Sequence, residues 1–220
     1  MIKYCRSDRG QAFPIYIMMV AGLLFLAFAF FAVGKASATR NGAQGAADAA
    51  ALAAAQEARD QMGPAFLAAL LLPGGLDDFF EDNRIGGGGS CDQAQRFAAE
   101  NRSDVVPYGC DWHSTNSRGE VTVEVKTRYT VGDSVIPDTE TRHATATATA
   151  VVEFRCSPKP EDKPGDGNGR DEDKDDKKDD KAGPIKFDCD GRNDLEIDPA
   201  DPDPWAELGK TLFAVHLIDD

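Results

Sequence analysis

The sequence has few of the residues that usually carry chemistry. Among 220 residues there are only three histidines and two tryptophans, and basic side chains number 24 against 38 acidic ones. The formal charge of −14 argues against nucleic acid as a partner, because phosphate contacts need basic patches. No C-x-x-C pair occurs, and Cys110 with His113 is a single C-x-x-H with no second ligand pair, so structural zinc has no framework. H-E-x-x-H, G-x-S-x-G and the full G-x-x-x-x-G-K-S/T are also missing (Gly209-Lys210-Thr211 has Pro204 where the first glycine should stand), which removes the common metalloprotease, hydrolase-elbow and phosphate-loop readings. His113 reads as a loop residue beside Trp112, and His143 and His216 read as strand residues, with nothing to bring them together. The carboxylates gather in turns and in one tract, where no cleft can tune them. The chain reads as a non-enzymatic protein with no cofactor and no metal.

One stretch has no charge at all. Gly10 to Gly34 reads GQAFPIYIMMVAGLLFLAFAFFAVG, with Arg9 before it and Lys35 after it. A hydrocarbon core of about 30 Å takes about 20 apolar residues as a helix. Pro14 falls in the first turn, where its missing N–H breaks no helical bond. A single membrane-spanning helix is expected. A cleaved secretory signal is the rival, with Ala36-Ser37-Ala38 as its site, but a signal's apolar region runs only about 7–15 residues. Lys3, Arg6 and Arg9 precede the span, so the positive-inside rule puts the N-terminus in the cytoplasm and the C-terminal part outside.

This topology sorts the five cysteines. Cys5 lies on the cytoplasmic side. Cys91, Cys110, Cys156 and Cys189 lie outside, and an even number there suggests two disulfides. Chain proximity favours Cys91 with Cys110 and Cys156 with Cys189.

The organisation follows. Residues 1–9 are a basic lead and 10–34 the membrane span. Residues 35–72 are alanine-rich and helical, since alanine has the best helix propensity; Asn41-Gly42 and Gly45 are places where the helix could break. Leu52, Ala55, Arg59 and Met62 recur at helical spacing. Gly63-Pro64 marks a break, then comes a short apolar piece that Pro73-Gly74-Gly75 ends. Residues 83–90 form a glycine-rich link, and Cys91 to Asn101 a short helix with Ser90 as N-cap and Phe97 inward.

Val121, Val123, Val125, Thr127, Tyr129 and Val131 alternate with polar residues, as a half-buried strand requires. A second strand runs from about Arg142 to Arg155, with Ala144, Ala146, Ala148 and Ala150 on one face. That flat face needs something close against it, and the alanine-rich helix is the obvious candidate. Gly132-Asp133-Ser134 and Pro137-Asp138 supply the turn between the strands. Residues 73–157 thus make an α+β domain with a β-hairpin.

Residues 158–182 form an acidic linker with nothing to bury, expected to be disordered. Its lysines compete with any calcium for the carboxylates. Asp188 to Asp194 resembles a calcium loop only superficially, because Arg192 stands at a ligand position. Residues 183–220 complete the domain: a short helix starts at Trp205, Gly209 stops it, and Leu212 to Ile218 is a closing strand.

Two motifs carry a family resemblance. Asp8-Arg9-Gly10-Gln11 directly precedes the span, and Gln44-Gly45-Ala46-Ala47-Asp48-Ala49-Ala50-Ala51-Leu52-Ala53-Ala54-Ala55 follows it. Together they resemble the N-terminal module of TadE/TadG-like proteins, pseudopilin-like components of Flp (tight-adherence) pilus assembly. The form with a small external domain, as in high-GC Gram-positive bacteria, is most similar. The resemblance implies an envelope protein whose partners are the lipid bilayer and other pilin-like subunits or the assembly platform. It also implies a peptidase site between Gly10 and Gln11. Ile15 stands where pilins carry a glutamate linked to subunit docking, which fits an accessory part better than a major pilin. Ala47 and Ala50 are then expected to pack laterally against other helices. The alternative is a membrane-anchored external binding module unrelated to pili.

Overall fold

The computed structural model describes residues 12–81, 86–115, 117–132, 139–159, 184–190, 195–199 and 201–218. The basic lead, the Gly10–Gln11 pair, the turn at 133–138, nearly all of the acidic linker and Arg192 lie outside the described residues.

One element dominates. Helix α1 runs unbroken from Ala12 to Gln61, about 75 Å at 1.5 Å per residue. It passes through Asn41-Gly42 and Gly45 without a break, because the alanines around them supply propensity and the domain packs along it. After Met62 come α2 (Gly63–Leu70) and α3 (Gly75–Glu81), then α4 (Ser90–Glu100). Pro64 sits in the first turn of α2, where it starts the new helix rather than interrupting one.

Strands β1 (Ser103–Thr115), β2 (Arg118–Thr130), β3 (His143–Phe154) and β7 (Phe213–Ile218) form an antiparallel sheet in the order β1-β2-β3-β7. A smaller antiparallel sheet joins β4 (Cys156–Pro158), β5 (Ile185–Cys189) and β6 (Leu195–Ile197). Helix α5 (Trp205–Leu212) precedes β7. The class is α+β: one long N-terminal helix with antiparallel sheets.

The core lies where α1 meets the sheet. Val121, Val123 and Val125 of β2 stand opposite Ala150, Ala148 and Ala146 of β3. The three valines, Ala148 and Ala150 are buried, and Ala146 is half-buried against the same core. Alanines 46, 47, 50, 51, 54 and 55 of α1 complete it, in alternating steps of one and three that keep them to one side of a helix. Small side chains on both elements let the helix and β3 approach closely.

Four local expectations change. The inward face of α1 is the alanine series, while Leu52 is only half-buried. Ser90 is the first residue of α4 rather than its cap; Gly89 caps in a left-handed conformation (φ 76°), and the Ser90 hydroxyl donates to the Gly87 carbonyl at 2.6 Å. Gly209 lies inside α5, because a residue without a side chain is what the adjacent Trp205 ring admits: a Cβ there would come within 3.1 Å of the indole. His113 is on a strand, not in a loop. Strand β1 escapes sequence pattern because it is interrupted: between Val105 and Cys110 it advances five residues while β2 advances two. The excursion Val106-Pro107-Tyr108-Gly109 destroys the two-residue period.

Candidate functional site

The two halves of α1 meet different surroundings. From Phe13 to Val33 its large apolar side chains stand exposed, with Phe25 at 72% and Phe30 at 76%. Each such side chain gains about 1.5–3 kcal/mol on leaving water, so this half needs an apolar solvent. It is long and apolar enough to cross a membrane. From Ala43 to Ala58 the same helix is the centre of the domain, between the sheet and α4. No hinge separates the halves, so whatever holds the membrane end holds the domain rigidly.

Ala47 and Ala50 have no exposed surface. They belong to the domain's own core with Val123 and Ala150. Within this chain both are thus already enclosed by its own domain, in a core that the sheet and α4 share. Small positions that do remain open lie lower, at Ala21, Gly22 and Gly34.

At the far end of α1 an aromatic cluster ties the chain together. Phe66 lies 5.5 Å from Phe79, 5.6 Å from both Trp205 and Phe213, and 5.9 Å from Phe154, between ring centres. This joins α2, α3, α5, β3 and β7 around one side chain. A shallow cavity of about 280 Å³ opens beside it, lined by Ala65, Ala68, Ala69, Leu72, Gly75, Asp78 and Phe79. Asp78 is its one charged group, so it offers no acid–base pair.

Cys91 and Cys110 are bonded, joining α4 to β1 with Cα atoms 5.9 Å apart. Cys156 and Cys189 are bonded across the small sheet, with Cα atoms 4.0 Å apart.

The histidines lie on three strands and are exposed. His113 is opposite Glu120, His143 opposite Thr130 and His216 opposite Val151. His143 Nδ1 lies 2.6 Å from the Thr127 carbonyl oxygen. Among the described residues, no three His, Cys, Asp or Glu side chains converge to hold a metal. The resolved charge perturbation is on the surface. Arg128 reaches Asp104 Oδ1 with Nε at 2.9 Å and Nη2 at 2.6 Å. These bonds hold the Asp104 carboxyl below the usual carboxylate range.

Tyr108 went unnoticed in the sequence. It is fully exposed at the crest of the β1 excursion, with φ of +61°. A non-glycine residue in that region is uncommon and strained. Pro107 beside it, on an edge strand, was the available signal.

Residues 10–57 match the Tad family model, described as Flp pilus-assembly TadE/G-like. That segment is the exposed apolar half of α1 plus most of its buried alanine half. No curated protein and no solved structure matches the chain.

Proposed function

From a membrane-anchored, pilus-related chain whose residues 10–57 are TadE/G-like, we propose a minor, non-enzymatic component of Flp/Tad-type pilus assembly or secretion. The observation that carries this reading is the match between the family segment and one continuous helix. That helix is apolar and exposed at one end and forms the domain's core at the other. Such a part can anchor in the bilayer while presenting a rigid domain to pilin-like subunits or the assembly platform. The N-terminus lies in the cytoplasm and the domain outside, as the charges of Lys3, Arg6 and Arg9 favour. Processing between Gly10 and Gln11 would leave α1 intact.

Lateral contact in this reading uses the open small positions. Membrane helices associate through close packing rather than the hydrophobic effect, and small residues permit it. Gly22→Leu with Gly34→Leu fills positions that have nothing within 4 Å of an added Cβ. The double variant should insert and fold normally yet lose co-purification with pilus components. Unchanged co-purification in that variant, together with unchanged fibres or secretion in a deletion strain, would reject the pilus reading.

The second reading, an anchored binding module, draws support from the exposed, strained Tyr108. It expects Tyr108→Ala to abolish partner capture while Gly22→Leu with Gly34→Leu does not.

A further inference from the structure

We propose that the end of the β2–β3 sheet nearest the membrane docks on the headgroups of anionic lipids. This rests on α1 spanning the bilayer through its apolar half. Phe13 to Val33 fills a hydrocarbon core of about 30 Å at 1.5 Å per residue, which leaves Lys35 at the headgroup layer. Because α1 continues without a break, heights along it are fixed.

The sheet descends along that helix. Gln44 Nε2 donates to the Thr147 carbonyl at 3.3 Å. Lower down, a side chain at Gly42 would run into the Tyr129 hydroxyl. Lower still, a Cβ on Gly132 would lie 3.8 Å from Lys35 Nζ. The strand ends thus reach the level where the helix leaves the hydrocarbon.

Basic side chains gather there. The Val131 N–H donates to the Arg142 carbonyl at 3.0 Å, so Arg142 sits next to the lowest described residues of β2. The Arg128 N–H donates to the Arg102 carbonyl at 2.8 Å, and the Arg102 guanidinium lies 5.1 Å from the Tyr129 ring centre. Arg102 is therefore at the level of Gly42, seven residues or about 10 Å above Lys35. Arg40, Arg102, Lys126 and Arg142 are all exposed. Arg128 is engaged by Asp104. The opposing carboxylates among the described residues at this end are Glu140, Asp104, which stands opposite Lys126 and is bonded by Arg128, and Glu100, which pairs with Arg96; Asp133 and Asp138 follow in the sequence between the strands.

The chain as a whole carries −14, so an anionic bilayer repels most of it. The positive charge lies where the helix brings the domain within about a Debye length, 8–10 Å, of the headgroups. Height and charge sign together select a lipid surface over a protein partner.

The test uses the full chain with Cys5→Ser, reconstituted in phosphatidylcholine vesicles with or without phosphatidylglycerol. A fluorophore is placed at Thr141→Cys, at Phe25→Cys, or at Ser117→Cys at the opposite end of β2. Quenchers sit on the headgroups or the acyl chains. Headgroup quenching at position 141 should rise when phosphatidylglycerol is present. It should fall to the neutral-lipid level in high salt, and in the variant Arg102→Glu, Lys126→Glu, Arg142→Glu. Position 117 should stay unquenched. Quenching at 141 that ignores lipid charge and salt, with position 25 quenched by acyl-chain probes, overturns the docking alone. An unquenched position 25 means that α1 does not span, and the anchoring and the docking fall together. The salt series on the otherwise unsubstituted domain decides the matter even if the triple variant misfolds.

Discussion

The indole N–H of Trp205 donates to the backbone carbonyl of Arg59 at 3.1 Å, across 146 positions of sequence. The ring also fills the space left by Gly63 and Gly209, where an added Cβ would come within 2.5 Å and 3.1 Å of it. The bond therefore fastens the C-terminal helix to the end of α1. Trp205→Phe should cost about 1 kcal/mol for the lost hydrogen bond. Trp205→Ala should cost about 3–5 kcal/mol, as large aromatic truncations do. Urea unfolding of the detergent-solubilised chain measures both; equal losses would mean that the ring's packing contributes nothing.

Enlarging the alanine face should unsettle the domain and leave the membrane half alone. Ala47→Leu and Ala50→Leu each put a large side chain into a filled core, at about 1–3 kcal/mol. They lie one helical turn apart, so the double variant should depart from additivity. Gly22→Leu should not change unfolding at all. An unaltered unfolding midpoint for the two alanine variants would contradict the helix–sheet packing.

The Cys156–Cys189 bond closes a separation of 33 residues. On the chain-entropy model it contributes about 3–4 kcal/mol. Cys156→Ser with Cys189→Ser should lower stability by that amount. Peptide mapping without reductant should recover the Cys156 and Cys189 peptides as one species.

The acidic linker leaves and re-enters the fold at one place. Pro158 pairs with Phe187, and the Lys159 N–H donates to the Lys186 carbonyl at 2.8 Å. Replacing 162–181 with a short Gly/Ser turn should change stability by no more than about 1 kcal/mol, since closure entropy varies slowly with loop length. A larger loss, by thermal unfolding, would reveal a partner or cation held by the tract.

The Asp104–Arg128 pair sets a mild acid dependence. The Arg128 hydrogen bonds lower the folded Asp104 pKa. Its contribution is therefore complete above the unfolded carboxylate pKa and is lost as pH falls through the folded one. The pair is exposed, so the effect on stability should be small. Carboxyl NMR titration should place Asp104 below the ordinary range, and Arg128→Ala should return it.

What the sequence settled by itself was one-dimensional. An uncharged run of membrane length, a two-residue period from Val121 to Val125, and alanines alternating with threonines along β3 are local patterns. Local sterics and burial dictate their elements wherever the chain goes, so the long helix and the hairpin were legible. The TadE/G-like motif was legible for the same reason, as a contiguous string. Tertiary structure decided everything that depends on a neighbour distant in sequence. Ala47 and Ala50 look equally suited to a partner helix or to a sheet, because alanine is small in both settings; only the arrival of β3 commits them to the core. Strand β1 exists because β2 offers it an edge, despite the interruption around Tyr108. Helix α5 runs through Gly209 because Trp205 lies against it, and Trp205 lies there because Arg59 presents a carbonyl. Propensity and period report a residue's own preferences, whereas these outcomes were set by which surface reached the residue.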